Sequence, residues 1–129
     1  MLEIVIVIVI LGVLTVTLIM PGVMRANSQK RLVSCGSNLQ SLSQALALYS
    51  REYYAQFPPE LVRLEPDYLQ RIPRCPSSNS DYNYSTGANS MVYTIFCPGE
   101  SHKDARAQAN YPQYTSASGL NLGNSTNPR

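Results

Sequence analysis

The sequence predicts an α+β chain in which one long N-terminal α-helix packs on a small C-terminal antiparallel β head. Three observations predict it. Residues 4–24 carry no charge. Leu32, Cys35, Leu39, Leu42, Leu46, Tyr49 and Tyr53 recur at steps of 3, 4, 3, 4, 3 and 4. Tyr82-Asn83-Tyr84 and the Met91–Cys97 run have the aromatic and β-branched composition of strands. The chain divides accordingly into 1–24, a hydrophobic helix; 25–56, an amphipathic helix; and 57–129, a β-rich head with a polar tail.

The length of 129 residues bounds the chain to one domain with an appendage. Only 14% of residues are charged and the net charge is +2, too little to argue for nucleic acid or an acidic partner. A hydrophobic fraction of 44%, strongly clustered, excludes a disordered chain. The same clustering argues against a uniform globular domain.

Ile4 to Val23 reads IVIVIVILGVLTVTLIMPGV. At a rise of 1.5 Å per residue this is about 30 Å of helix, the thickness of a hydrocarbon core. The alternating Ile-Val run favours a strand locally, but strands rarely exceed about ten residues. A lone strand in lipid would also leave its backbone unpaired. A cleaved signal peptide would open with positive charge and have a shorter core of roughly 7–15 residues. The remaining readings are a permanent anchor and a helix that rests in membrane before being buried against its own copies. Glu3 is an acid at the apolar end, read either as a membrane-edge residue or as an anion at a helix N-terminus. Pro21-Gly22 predicts a break or kink, and Gly12 a second weak point. Arg25, Lys30 and Arg31 follow, and the positive-inside rule alone would place the rest in the cytoplasm. The cysteines argue for the opposite side, a conflict that a basic leader ahead of Met1 resolves.

The stripe from Leu32 to Tyr53 is a core-facing stripe, with Leu32, Leu39, Leu42, Leu46, Tyr49 and Tyr53 packing on the head. Ser37, Gln40, Ser41, Gln44 and Arg51 occupy the other face. Pro58-Pro59 ends the helix, whose predicted span is 2 to about 55. A short helix or turn around Leu61, Leu64 and Tyr68 follows. In the second strand Met91, Tyr93 and Ile95 share one face and Val92, Thr94 and Phe96 the other. No firm element is predicted beyond Ser101, and the tail from Tyr114 reads as loosely ordered.

Three cysteines remain. A Cys75–Cys97 disulfide would tie the loop around the hairpin and stabilise by about 3 kcal/mol in the chain-entropy picture, which implies an oxidising compartment. Cys35, in the helical stripe, reads as a buried free thiol; Cys35 pairing with either partner, or no bond at all, are the alternatives. No CxxC occurs, so no metal is expected and zinc is disfavoured. His102 is the only histidine and reads as a surface or turn residue. No Cys-His or Ser-His motif and no phosphate-binding glycine loop supports catalysis, so neither an enzyme nor a cofactor is expected.

The segment MLEIVIVIVILGVLTVTLIMPGVMRA resembles the start of type IV pilins and pseudopilins, an apolar helix with an early glutamate, a glycine nine residues later and a proline near its end. CGSNLQSLSQALALYSREYYAQFPPEL, then PDYLQRIPRCPSS and YTIFCPGESH, are similar to pilin-like heads, including a Cys-Pro to Cys pairing. The resemblance covers about residues 1–102. It implies a type IV pilin-like fold and a precursor with a short basic leader, cut by a membrane-embedded peptidase and then methylated. It implies that Glu3 compensates the terminal amine of a neighbouring subunit, and that the helix between Gly12 and Pro21 partly melts in the filament. The implied function is a structural subunit of a homo-oligomeric helical filament serving adhesion, motility or DNA uptake. The subunit would wait in the inner membrane, be assembled by the pilus machinery, and end outside the cell. In the family the glutamate usually lies about two residues deeper and a leader precedes it, so this start departs from the family pattern. Glu52-Tyr53-Tyr54-Ala55-Gln56 stands where an Asp-Gly stretch often precedes the head, which weakens the alternative of a calcium-binding pseudopilin of type II secretion. A minor or competence pilin with a DNA-binding head is the other alternative. Residues 57–129 hold six Lys+Arg against six acids, a balance that disfavours it while a local patch at Lys103 and Arg106 stays open.

Overall fold

The computed structural model describes residues 2–87 and 89–123, with Met20 and Pro21 described by backbone alone. One helix, α1, runs from Leu2 to Glu52. Four strands follow: β1 (Asn83–Thr86), β2 (Tyr93–Phe96), β3 (Gln113–Thr115) and β4 (Gly119–Asn121). Two 3-10 turns, Leu61–Leu64 and Lys103–Ala105, complete the head. The chain is therefore α+β, a long N-terminal helix with a small antiparallel sheet.

The helix passes through Pro21 and Gly22 without interruption, so the predicted break is absent. A proline removes one hydrogen bond, and the well-formed turns on either side carry the helix across. Its end comes earlier than predicted. The Tyr53 N–H still donates to the Tyr49 carbonyl at 3.1 Å, and the Ala55 N–H reaches back to Ser50 at 2.8 Å. Tyr54 and Ala55 then take left-handed φ values of 54° and 62°. This is a Schellman-like close without glycine, which costs about 1–2 kcal/mol per residue. Tyr53 is consequently not a head-packing residue. It lies beyond α1, is 48% exposed, and stacks on the Tyr49 ring at 4.1 Å.

The sheet is a meander in the order β1-β2-β3-β4, antiparallel throughout. Its register aligns Tyr84, Ile95, Tyr114 and Leu120 in one row across all four strands. That row, with Tyr93, faces the core, where Leu39, Leu42, Ala45 and Leu46 of α1 meet it. Tyr93 and Ile95 are buried and Thr94 and Phe96 half-buried, the alternation expected of β2. Leu32, Leu39, Leu42 and Leu46 are fully buried, and Tyr49 packs at the core margin. Leu61 and Leu64 close the core from the first 3-10 turn.

The tail beyond Tyr114 is the larger correction. Gln113–Thr115 and Gly119–Asn121 are strands, each with one core-facing apolar side chain, Tyr114 or Leu120. Three-residue strands with one such residue carry no detectable period. They exist because β2 offers a free edge. Gly36 on α1 lets β4 approach closely: a Cβ there would meet Leu122 at 3.0 Å and Leu120 at 3.2 Å. Residues 124–129 of the polar tail lie outside the described residues.

Burial of Tyr82, Tyr84 and Tyr93 pushes their phenols above the ordinary tyrosine value, to about 12 for Tyr93. A group whose folded pKa is raised stabilises the fold fully below its unfolded value and loses that contribution as pH rises through the folded value. The head is therefore expected to lose stability between about pH 10 and 12. Spectrophotometric titration of tyrosinate should show the buried Tyr82, Tyr84 and Tyr93 ionising late, with their release coinciding with unfolding. A single transition of all tyrosines at the free-tyrosine value would contradict this.

Candidate functional site

Two features bear on function. The first is the N-terminal half of α1. Every described side chain from Leu2 to Met24 is exposed, including Leu2 at 78% and Leu18 at 77%. The segment is long and apolar enough to cross a membrane, and no part of it is buried against the head. Its polar side chains are self-satisfied: the Thr15 hydroxyl donates to the Gly12 carbonyl at 2.9 Å, and Thr17 to Leu14 at 3.0 Å. In hydrocarbon an unpaired hydroxyl would cost several kcal/mol, about 4–8 on a cyclohexane scale, so this arrangement suits lipid or a helical bundle.

Glu3 lies exposed in the first turn of α1, where a carboxylate is favoured by the helix dipole. It takes part in neither ion pair found among the described residues, Arg74–Asp81 and Lys103–Glu100. Beyond the backbone of its own helix, nothing among the described residues lies within 4 Å of where a Gly12 Cβ would stand. Pro21 lies in the continuous helix. Where α1 reaches the head, Arg25 and Arg31 share a groove with Arg106 and Asp104. This cationic collar sits immediately after the apolar segment.

The second feature is inside the head. Cys35 on α1, Cys75 in the loop before β1, Cys97 just after β2 and His102 capping the second 3-10 turn converge. Their candidate ligand atoms all lie within 4.8 Å of one another. All four are buried, the cysteines at 0 or 1% exposure and His102 at 3%. The three thiols are free. No Cys75–Cys97 disulfide is made, and His102 is not a surface residue. His102 does lie in a turn, as expected, but packing buries it with three cysteines from remote parts of the chain.

The surroundings are ordered by hydrogen bonds. Cys75 Sγ lies 3.4 Å from His102 Nε2, and the opposite ring nitrogen, Nδ1, lies 3.2 Å from the Ser77 hydroxyl. Cys35 Sγ lies 3.3 Å from the Tyr82 hydroxyl, which accepts an N–H from Asn38 at 3.1 Å. With its oxygen so engaged, Tyr82 is set to donate its O–H to the sulfur. The Cys35 S–H holds the Cys97 thiol well below the ordinary thiol range, assisted by His102, Cys75 and Ser101 and opposed by burial. Cys35 is raised in turn, first by that hydrogen bond to Cys97 and then by burial. One negative charge on Cys97 is thus favoured by the sulfur cluster.

A Cys–His pair in reach could act as a nucleophile and base, but that chemistry needs access for a substrate. Cys75 and His102 have none. The donor set is instead that of a buried soft-metal centre. The absence of CxxC made such a centre unexpected. The available signals were the third, unpaired cysteine and the spacing Cys97-Pro-Gly-Glu-Ser-His102, which sets two ligand types four intervening residues apart.

Comparison with known proteins finds no matching family model, no matching curated protein and no matching solved structure.

Proposed function

We propose that this chain is a structural subunit of a type IV pilus-like filament, non-catalytic, anchored in the inner membrane before assembly and held afterwards by the helices of sister subunits. The observation that carries this reading is the bare half of α1: an apolar helix long enough to cross a membrane, attached to a folded head that covers none of it. In water such a surface would drive aggregation. It is stable either in lipid or against copies of itself.

Exchanging lipid for sister helices gains little hydrophobic free energy, because acyl chains are as apolar as leucine. Close packing and the pairing of rare charges must therefore decide assembly. Glu3 is the one charged residue of the apolar half, and a cation brought near it by a neighbour would favour one stagger over others. The collar of Arg25, Arg31 and Arg106 supports the waiting state, since it would meet lipid phosphates at the bilayer surface. The pilus assembly machinery is the implied partner that extracts the subunit.

The test is recovery of surface material by shearing, followed by electron microscopy and mass spectrometry. The expected result is thin fibres composed of this chain, with a methylated N-terminal residue. Recovery of the chain solely as a detergent-extracted monomer, with no fibre or short stub containing it, would overturn the reading.

A further inference from the structure

We infer that Cys35, Cys75, Cys97 and His102 form a structural zinc site that clamps the long helix to the head. The inference is independent of whether the chain polymerises. It rests on geometry and donor chemistry. Zinc with thiolate ligands at about 2.3 Å spaces the sulfurs of a tetrahedron about 3.8 Å apart. The four donor atoms here already lie within 4.8 Å of one another, and the Cys75–His102 edge is 3.4 Å. A closing movement of about 1 Å at most completes the tetrahedron. Three thiolates and one imidazole are a zinc set of the closed, structural kind, with no position left for substrate.

The shell around the four ligands fits the same reading. The Ser77 hydroxyl lies 3.2 Å from His102 Nδ1, where it can accept that nitrogen's proton while Nε2 faces the cluster, the arrangement a metal requires. Tyr82, oriented by Asn38, presents a donor to the Cys35 sulfur. The loop carrying Cys75 is closed on itself by the Cys75 N–H to Ser80 and by the Asn79 N–H to the Cys75 carbonyl. Cys97 is pinned to the strand region by its N–H to the Pro112 carbonyl. Each ligand thus comes from a different part of the chain, on a backbone fixed by its own hydrogen bonds.

Binding balances without any redox step. Zinc is held by three thiolates, with every proton still on those sulfurs released to solvent, and takes the lone pair of neutral Nε2, leaving a complex of net charge −1. A disulfide is the competing fate. Joining two of the three sulfurs would bring them to about 2.05 Å, strand the third and leave His102 buried beside an uncharged bridge. The metal uses all four groups, and it accounts for an odd number of cysteines in one small core.

The experiment uses the full chain in detergent, purified without reductant and quenched with an alkylating reagent. The expected result is one zinc per chain by elemental analysis and three thiols that alkylate only after chelation. Anaerobic titration of the reduced, metal-free chain with cobalt(II) should give the ligand-field bands of a tetrahedral centre and thiolate-to-cobalt charge transfer, saturating at one equivalent and reversed by zinc. His102→Cys should keep a four-sulfur cobalt spectrum, whereas His102→Ala should lose tight binding. Ser77→Ala and Tyr82→Phe should weaken affinity roughly 10–100-fold, the range for lost outer-shell partners. The wild-type cobalt titration stands even if a variant fails to fold. A metal-free chain with a disulfide between any two of the three cysteines, or a reduced chain that gives no cobalt spectrum, overturns the proposal. A disulfide in the freshly isolated chain does so even if the reduced form takes cobalt.

Discussion

Glu3→Gln is expected to lower the yield of sheared polymer about a hundredfold while leaving membrane insertion intact. Glutamine keeps the size and removes only the charge. An acid in the apolar interior costs about 3 kcal/mol on insertion scales. If a neighbour's cation offsets that cost in the assembled state, the variant forfeits a similar amount of assembly free energy, and each 1.4 kcal/mol is about tenfold in an equilibrium. Glu3→Asp, which keeps the charge on a shorter stem, should fall between wild type and Glu3→Gln. Quantitative immunoblots of sheared and membrane fractions read both effects. Equal polymer yield from wild type and Glu3→Gln would refute the role assigned to this carboxylate.

Leu39→Ala is expected to destabilise the head by about 3 kcal/mol, within the range for a fully buried leucine truncated in a core. Leu39 has no exposed surface and sits mid-stripe, between Cys35 and Leu42 in the cluster that meets β2. For a unit of this size that loss lowers Tm by roughly 12–24 °C. Val33, on the same helix but 60% exposed, is the control; Val33→Ala should stay within about 0.5 kcal/mol of wild type. Thermal unfolding of the full chain in detergent, followed by the near-ultraviolet signal of the core tyrosines, measures both. Equal melting of the two variants would mean that the stripe does not hold the head.

The reach of sequence reasoning differs between elements for identifiable reasons. The stripe from Leu32 to Leu46 was legible because helical period is a local property, and four leucines at that period are all buried. The hairpin was legible because Tyr82-Asn83-Tyr84 and Met91–Cys97 are rich in aromatic and β-branched residues, a local property. Tyr53 continues the same period but lies past the helix end, where Tyr54 and Ala55 turn left-handed. Periodicity could not see that turn, because no glycine marks it. β3 and β4 were invisible because neither strand has enough apolar residues to declare itself. Their pairing depends on the β2 edge and on the room that Gly36 leaves above α1.

The amino-acid order by itself determined the two-part helix and the class of the head, because hydrocarbon-length apolar runs and side-chain periods are written between near neighbours. It also exposed the unusual combination of a bare apolar stalk and a single early acid. Only the tertiary structure decided which distant groups meet. Cys35, Cys75, Cys97 and His102 converge because α1, a closed loop, the end of β2 and a 3-10 turn are packed around one core. No local pattern encodes such a meeting, since it is fixed by the burial of the leucine stripe against the sheet and not by spacing along the chain.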